Sequence, residues 1–120
     1  MARVADYVII SDEAVSMQIG GEVYKEFTFD MPANFHGASR PILVCKLDTL
    51  NNVRDLKFNF QINGIQVDAY TFNDTVVHSI HEVLPANILK TNSNHIRIAV
   101  TGGDGELRVG DIFILCQVDT

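Results

Sequence analysis

The 120-residue sequence is short of three things: cysteine, positive charge and long apolar runs. Two cysteines cannot build the framework of four or six that braces many small secreted domains. Both lie inside apolar, strand-like stretches, so Cys45 and Cys116 are expected to be buried, reduced thiols, with a disulfide between them as the alternative. No stretch approaches the roughly 20 apolar residues that cross a bilayer, and the first residues lack the apolar run of a signal peptide. We therefore expect no membrane partner and a cytoplasmic protein.

The charge balance excludes a second class of partner. Nine Lys and Arg residues against 15 Asp and Glu residues give a net charge of -6, and the basic residues are scattered along the chain. Proteins that bind nucleic acid neutralise its phosphate backbone with clustered Lys and Arg. Nucleic acid is therefore not an expected partner.

Catalytic motifs are also missing. The sequence contains no nucleophile elbow, and neither cysteine lies in a loop where a reactive thiol is usually found. The pair of carboxylates that a glycosidase needs cannot be assigned from the sequence. The protein is expected not to be an enzyme.

The clearest pattern that is present predicts a β-hairpin over residues 56–70. Apolar and polar residues alternate on either side of Asn63-Gly64, which is typical of half-buried strands. Asn-Gly supplies the two positive φ angles of a type I′ turn, whose twist matches the flanking strands. With these two residues as the loop, every apolar side chain of the hairpin is predicted to lie on one inward face. The predicted inward pairs are Ile62 with Ile65, Phe60 with Val67, and Phe58 with Ala69.

The polar residues of the hairpin are predicted to share its outward face. The predicted outward pairs are Asn59 with Asp68, Gln61 with Gln66, and Lys57 with Tyr70. Amides, a carboxylate and a phenol on one rigid surface can donate to and accept from the hydroxyls of a saccharide. The candidate ligand-binding residues are therefore Asn59, Gln61, Gln66, Asp68 and Tyr70. The alternatives are the hydrated face of a sheet with no ligand, or a surface that pairs with another subunit.

The rest of the chain predicts further strands. Residues 15–19 and 23–29 favour a second hairpin with a three-residue loop, and residues 85–89 favour a single helical turn that begins at a proline. The runs at 42–47 and 112–116 are apolar on both parities, which is typical of strands covered on two sides. About eight strands and no long amphipathic helix predict one all-β domain over residues 1–120. The expected architecture is an antiparallel β-sandwich of the jelly-roll type.

From Phe27 onward the order of these signals resembles the galactose-binding-like jelly-roll domains, which serve as carbohydrate-binding modules and as sugar-binding domains of large glycosidases. The matching pieces are residues 27–32, 43–47, the strand, Asn-Gly and strand of 56–64, and residues 83–90, 94–98 and 109–112. The resemblance implies a β-sandwich and a non-catalytic, lectin-like binding module. The alternative is a structural or assembly protein whose partner is a second copy or another protein. Such modules often stack a sugar on Trp or Tyr. This chain has no Trp, so only Tyr7, Tyr24 and Tyr70 could serve.

A metal site is the last candidate. Residues 102–106 are acidic and rich in glycine, and a structural calcium ion held by Asp104 and Glu106 is one interpretation, with a plain hairpin turn favoured over it. No other cofactor is expected. His78 and Glu82 share a strand parity and His81 has the other, so the two imidazoles are not expected to bind one metal ion.

Overall fold

Seven β-strands make up the fold, in a computed structural model that describes residues 2–120. All strand pairs are antiparallel and these residues contain no helix, which confirms the predicted fold class. Over the same residues there is accordingly no helix with the length and apolar character needed to cross a membrane. In chain order the strands are β1 (Arg3–Ser11), β2 (Val15–Met17), β3 (Tyr24–Phe29), β4 (Ile42–Ile62), β5 (Ile65–Phe72), β6 (Val77–Val83) and β7 (Asn94–Asp119).

The two longest strands, β4 and β7, organise the fold because they pair with each other along most of their length. Both strands bend near the middle. The bend in β4 contains Asn51, Asn52 and Asp55, and the bend in β7 contains Gly103 and Gly105, all with positive φ. Asn, Asp and Gly adopt this left-handed backbone most readily. The turn predicted at 102–106 is therefore wrong, since this segment continues as a bent strand. Residues 48–55 likewise continue β4, so fewer strands result than expected.

The bends divide the strands into two sheets. Sheet I contains β1, β2, residues 106–119 of β7, residues 42–50 of β4, and β6; sheet II contains β3, residues 94–100 of β7, residues 56–62 of β4, and β5. Phe72 lies opposite Leu56, and His78 lies opposite Leu47. If β4 were straight, Leu47 and Leu56 would be roughly 30 Å apart at about 3.3 Å per residue, and so would the side chains opposite them. The rings of Phe72 and His78 are 6.0 Å apart, so the sheets stack face to face as a sandwich.

The hydrophobic core lies between the two sheets. Sheet II contributes Phe58 and Phe60, which are 1% and 0% exposed, and sheet I contributes the fully buried Leu43. The inward placement of both phenylalanines confirms the parity predicted from the hairpin. Cys45 and Cys116 are buried and unpaired, as expected.

The hairpin turn forms where it was predicted. Asn63 and Gly64 have φ angles of 51° and 81°. The Asn63 amide donates to the carbonyl of Ile88 at 2.9 Å and to Oδ1 of Asn94 at 3.0 Å, and its Oδ1 accepts from the backbone N–H of His95 at 3.0 Å. The turn is thereby joined to the start of β7.

The register of the hairpin differs from the prediction because β5 contains a bulge at Val67. Beyond the bulge, Phe60 pairs with Asp68 and Phe58 pairs with Tyr70, so the predicted pairs of Asp68 and Tyr70 are wrong. One extra residue reverses the facing of every side chain that follows it. Asp68 and Tyr70 therefore point to the inner side of the sandwich.

Two further local predictions are also wrong. β2 and β3 do not pair with each other: β2 pairs with residues 107–109 and β3 with residues 94–99, because each strand completes a different sheet. Residues 85–89 form a turn in place of a helical turn. The N–H of Ile88 donates to the carbonyl of Pro85 at 3.4 Å, and Asn87 between them has a positive φ of 64°.

Candidate functional site

The outward side chains of sheet II form a hydrophilic surface, the polar face, defined by Tyr24, Glu26, Asn59, Gln61, Gln66 and Arg97. Side chains alternate between the two sides of a strand, and the inward positions here are filled by core residues. One row across the sheet therefore runs through Tyr24, Ala99, Asn59 and Ala69. The next row runs through Glu26, Arg97, Gln61 and Gln66.

Asn59 lies at the centre of the polar face. Its Nδ2 donates to Oε1 of Gln66 at 3.3 Å. Its Oδ1 is enclosed and has no hydrogen-bond partner among the described residues. Leaving a buried acceptor unpaired costs about 1–3 kcal/mol, so a hydrogen-bond donor that reached this oxygen would be stabilising. The methyl group of Ala99 on the adjacent strand keeps the surface low on one side of it.

Arg97 stacks on the ring of Tyr24 beside Asn59. The guanidinium carbon of Arg97 lies 4.0 Å from the centre of the Tyr24 ring, and Nη1 of Arg97 donates to Oε1 of Glu26 at 3.2 Å. Stacking on an aromatic ring and binding to a carboxylate both fix the orientation of a guanidinium. Tyr24 remains 46% exposed. An aromatic ring, a guanidinium and three amides thus lie on the outward side of two adjacent rows.

A shallow depression continues the polar face toward the hairpin turn. Glu26 belongs to both, and the outward Thr28 and His95 form the next row of the sheet. The lining residues of the depression are Glu26, Thr28, Phe29, Asp30, Ser93, Asn94 and His95. The polar surface is therefore longer than the hairpin alone.

The structure divides the five predicted ligand-binding residues between two places. Asn59, Gln61 and Gln66 lie together on the polar face, with Gln61 opposite Gln66 as predicted. Asp68 and Tyr70 do not join them, because the bulge turns both side chains to the other side of the sheet.

Asp68 and Tyr70 instead meet Glu82 of β6 where the two sheets approach each other, and we call these three residues the edge cluster. The Tyr70 hydroxyl donates to Oε1 of Glu82, and the Tyr70 ring stacks on Phe58 with 5.4 Å between ring centres. Because Tyr70 belongs to sheet II and Glu82 to sheet I, this hydrogen bond joins the two layers.

The edge cluster shifts the pKa of each of its members. Burial, then hydrogen bonding to Glu82, raises the pKa of Tyr70, which therefore stays a hydrogen-bond donor. Burial, followed by the neighbouring Asp68, raises the pKa of Glu82. Hydrogen bonding to Glu82 lowers the pKa of Asp68. The two carboxyls therefore hold one proton more firmly than either would alone. Burial and the charge of Glu82 also raise the pKa of the nearby Cys45 thiol to about 12.

The two predicted calcium ligands lie at the bend of β7. In the ladder between β4 and β7 the backbone of Asp104 lies opposite that of Arg54. Oε2 of Glu106 accepts from Nδ2 of Asn51 at 2.9 Å. Over residues 2–120, no group of three or more His, Cys, Asp or Glu side chains is arranged to hold a metal ion. Calcium binding by Asp104 and Glu106 stays a prediction. Among residues 2–120, no third carboxylate or imidazole is placed to join them.

Sequence reasoning missed Arg97 as a site residue and left Tyr24 as one of three possible aromatic platforms. The alternation of residues 96–100 predicts that Arg97 points outward. Nothing local indicates that β7 lies between β3 and β4, which brings Arg97 against both Tyr24 and the hairpin amides. The contact of Arg97 with Tyr24 therefore depends on the order of the strands in the sheet, which the local sequence does not give.

No protein-family model matches the sequence, and no curated protein matches it. Solved structures do share its fold. Latent PorU from Porphyromonas gingivalis is similar over 99% of this chain and 13% of its own length, with 12% identity and a TM-score of 0.78. A β-porphyranase of glycoside hydrolase family 86 from Bacteroides plebeius is similar over 98% of this chain and 21% of its own, with 17% identity and a TM-score of 0.67. The chain thus spans about a fifth or less of these two proteins.

A third similar structure matches at nearly full length on both sides. It is the CBM36-1 domain of a multidomain xylanase from the hindgut metagenome of Trinervitermes trinervoides, and 93% of this chain covers 96% of that domain. The identity is 12% and the TM-score is 0.52. At such identities the likeness concerns the fold. This chain therefore has the β-sandwich fold that is also found in carbohydrate-binding module domains.

Proposed function

We propose that the protein is a non-catalytic carbohydrate-binding module and that its ligand lies on the polar face. One observation carries the proposal: Gln61 and Gln66 surround Asn59, whose Oδ1 is unpaired, and the exposed ring of Tyr24 lies in the same row as Asn59. Saccharide hydroxyls both donate and accept, so they match amides that do the same. The fold it shares with carbohydrate-binding module domains supports this choice over other small ligands.

Each group on the polar face has a role in this proposal. A ligand hydroxyl donates to Oδ1 of Asn59 once the exposed Gln66 side chain turns aside. Gln61 and the free N–H groups of Arg97 bind neighbouring hydroxyls, and the Tyr24 ring meets the apolar side of the sugar. Because all of these residues lie on paired strands, little ordering entropy is lost on binding. The depression beyond Glu26 leaves room for a second sugar unit.

The distribution of carboxylates supports a non-catalytic role. Glycoside hydrolysis needs two carboxyl groups that flank the scissile bond. The polar face has a single carboxylate, Glu26, which is bound to Arg97. The depression adds Asp30, whose Oδ1 accepts from the backbone N–H of Ser93. The carboxyls of Asp68 and Glu82 point between the sheets. The narrower resemblance to the galactose-binding-like jelly-roll domains stays a prediction about the family, and it names no particular sugar.

Binding can be tested with a glycan array followed by titration calorimetry on the best ligand. Tyr24→Ala and Asn59→Ala should each weaken binding by at least tenfold, because they remove the stacking surface and the central acceptor. Tyr7→Ala is the matched control, since Tyr7 is also an exposed tyrosine, 58% accessible, but lies on the outside of sheet I. An array with no ligand, or equal losses in Tyr24→Ala and Tyr7→Ala, would contradict the proposal.

A further inference from the structure

Two adjacent rows on the outside of sheet I are apolar, in contrast to the polar face. Tyr7, Leu115, Ile42 and Val83 form one row, and Ile9, Phe113, Val44 and His81 form the next. We call the seven hydrophobic members of these rows the apolar face. Its members are Tyr7, Ile9, Ile42, Val44, Val83, Phe113 and Leu115.

Two observations place these side chains outside the core. Val44 is only 9% exposed, yet it is absent from the core cluster that contains its chain neighbours Leu43 and Cys45. Toward the edge of the sheet, Tyr7 and Ile9 are 58% and 59% exposed, whereas Val8 between them packs on the core. The sequence predicted a strand covered on both sides at 42–47. The described residues bury Val44 at the centre of the outer side but leave Tyr7, Ile9 and Val83 exposed toward its edges.

The size of the apolar face fits an interface. The exposed parts of its seven side chains amount to roughly 400–500 Å², within the roughly 300–600 Å² of the largest apolar patch on a typical monomer, a patch that is often functional. Stacking two such faces, with a polar rim around each, would bury on the order of 1,000 Å² in total. That is the lower limit for a specific protein interface.

The charges around the apolar face favour a second copy of this chain as the partner. The chain carries a net charge of -6, but the face itself has no charged side chain. One end of it holds the ion pair of Arg3 with Asp119, and the other end holds Lys46, Asp48 and Arg108. If two copies stack with their strands antiparallel, opposite ends meet and Asp119 approaches Arg108 of the second copy. Because each end carries both signs of charge, this alignment brings opposite charges together.

We propose that the protein forms a two-fold symmetric homodimer through the apolar face. The interface is isologous, since the same patch serves both copies, with the Tyr7 and Phe113 rings near its centre. Its modest area corresponds to a reversible dimer with a dissociation constant in the micromolar range or above. This proposal uses a different surface from the carbohydrate proposal and does not depend on it.

Sedimentation velocity over a concentration series from about 10 μM to 1 mM tests the dimer. Ile9→Lys should raise the dissociation constant at least tenfold. Ile65→Lys is the matched control, because Ile65 is also an edge-strand isoleucine with 54% exposure but lies at the hairpin end of sheet II. Both variants change the net charge equally, and the added positive charge reduces general repulsion. Loss of self-association in Ile9→Lys alone would therefore identify the face.

Leu115→Ser gives a second disruption of the same face, should Ile9→Lys alter the melting temperature. A wild-type protein that stays monomeric at 1 mM would overturn the proposal. So would equal weakening in Ile9→Lys and Ile65→Lys, or concentration-dependent amide shifts that map to sheet II. Salt should weaken the dimer if Asp119 meets Arg108, because exposed ion pairs are screened.

Discussion

Replacing Gly103 by alanine tests how the sandwich is bent. Gly103 lies in the bend of β7 with a φ of 84°, and a Cβ atom there would come within 2.0 Å of the carbonyl oxygen of Asp55 in the bend of β4. The obstructing atom is backbone, so it cannot turn aside as a flexible side chain would. The substitution must push the two bends apart.

The loss of unfolding free energy in Gly103→Ala has two parts, backbone strain and overpacking, and a matched control measures the first part alone. Left-handed backbone costs an alanine roughly 1–2 kcal/mol. Gly64 has nearly the same φ, 81°, but nothing lies within 4 Å of a Cβ at that position, so Gly64→Ala reports this strain alone. Overpacking adds about 1–3 kcal/mol. Gly103→Ala should therefore lose about 2–5 kcal/mol of unfolding free energy, against about 1–2 for Gly64→Ala.

Urea unfolding followed by circular dichroism measures both variants, with the slope m expected to stay unchanged. At roughly 4 °C per kcal/mol for a chain of this size, the melting temperature should fall by about 8–20 °C for Gly103→Ala and by about 4–8 °C for Gly64→Ala. Equal losses in the two variants would refute the close contact of the bends, and with it the account of how two continuous strands supply both layers. Gly20→Ala, which has φ 91° and open space, provides a second control.

Two further substitutions test the contacts that hold the layers and the hairpin. The raised pKa of Glu82 predicts that wild-type stability falls as pH rises above its ordinary value of 4.5, whereas the lowered pKa of Asp68 predicts a fall as pH drops below 3.8. Glu82→Gln, with an amide that can donate to Asp68, should abolish the decline above pH 4.5 in urea titrations; an unchanged decline would exclude the shared proton. Asn63→Ala removes hydrogen bonds to Ile88 and His95 and places alanine at φ 51°, so it should cost about 2–4 kcal/mol by the same measurement, and a loss under 1 kcal/mol would argue against the role of this turn.

Local chemistry was enough to predict the hairpin turn and the inward face of β4. The Asn63-Gly64 pair requires positive φ at both positions, and the alternation through Phe58 and Phe60 allows only one buried side. Both features depend on residues that are neighbours in the sequence. The turn and the inward face can therefore be predicted without knowing the order of the strands.

The bulge at Val67 was missed although the sequence contains a sign of it. Ile65 and Val67 have one parity, and the aromatic Tyr70 and Phe72 have the other, so the apolar side of β5 changes after Val67. Such a change of parity within one strand indicates an inserted residue. Its consequence for the site is direct, because it moves Asp68 and Tyr70 from the polar face to the edge cluster.

The bend of β7 shows why glycine-rich composition alone was misleading. Residues 102–106 have the composition of a turn, but Asp104 still pairs with Arg54 and Glu106 with Leu50. Left-handed residues in both partner strands let the ladder bend without ending. Whether such a segment turns back or bends depends on a partner about 50 positions away, which no local pattern contains.

The same two strands give the protein two outer surfaces of opposite character. In sheet I the outward positions of β4 begin with the apolar Ile42 and Val44, and in sheet II they include the polar Asn59 and Gln61. A dimer formed through the apolar face would leave both polar faces free and pointing in opposite directions, roughly 30 Å apart for four stacked layers. One straight ligand chain cannot reach both, so such a dimer would gain no avidity on a single chain and would instead bridge two chains. Subunit pairing and ligand binding would thus act together through separate surfaces.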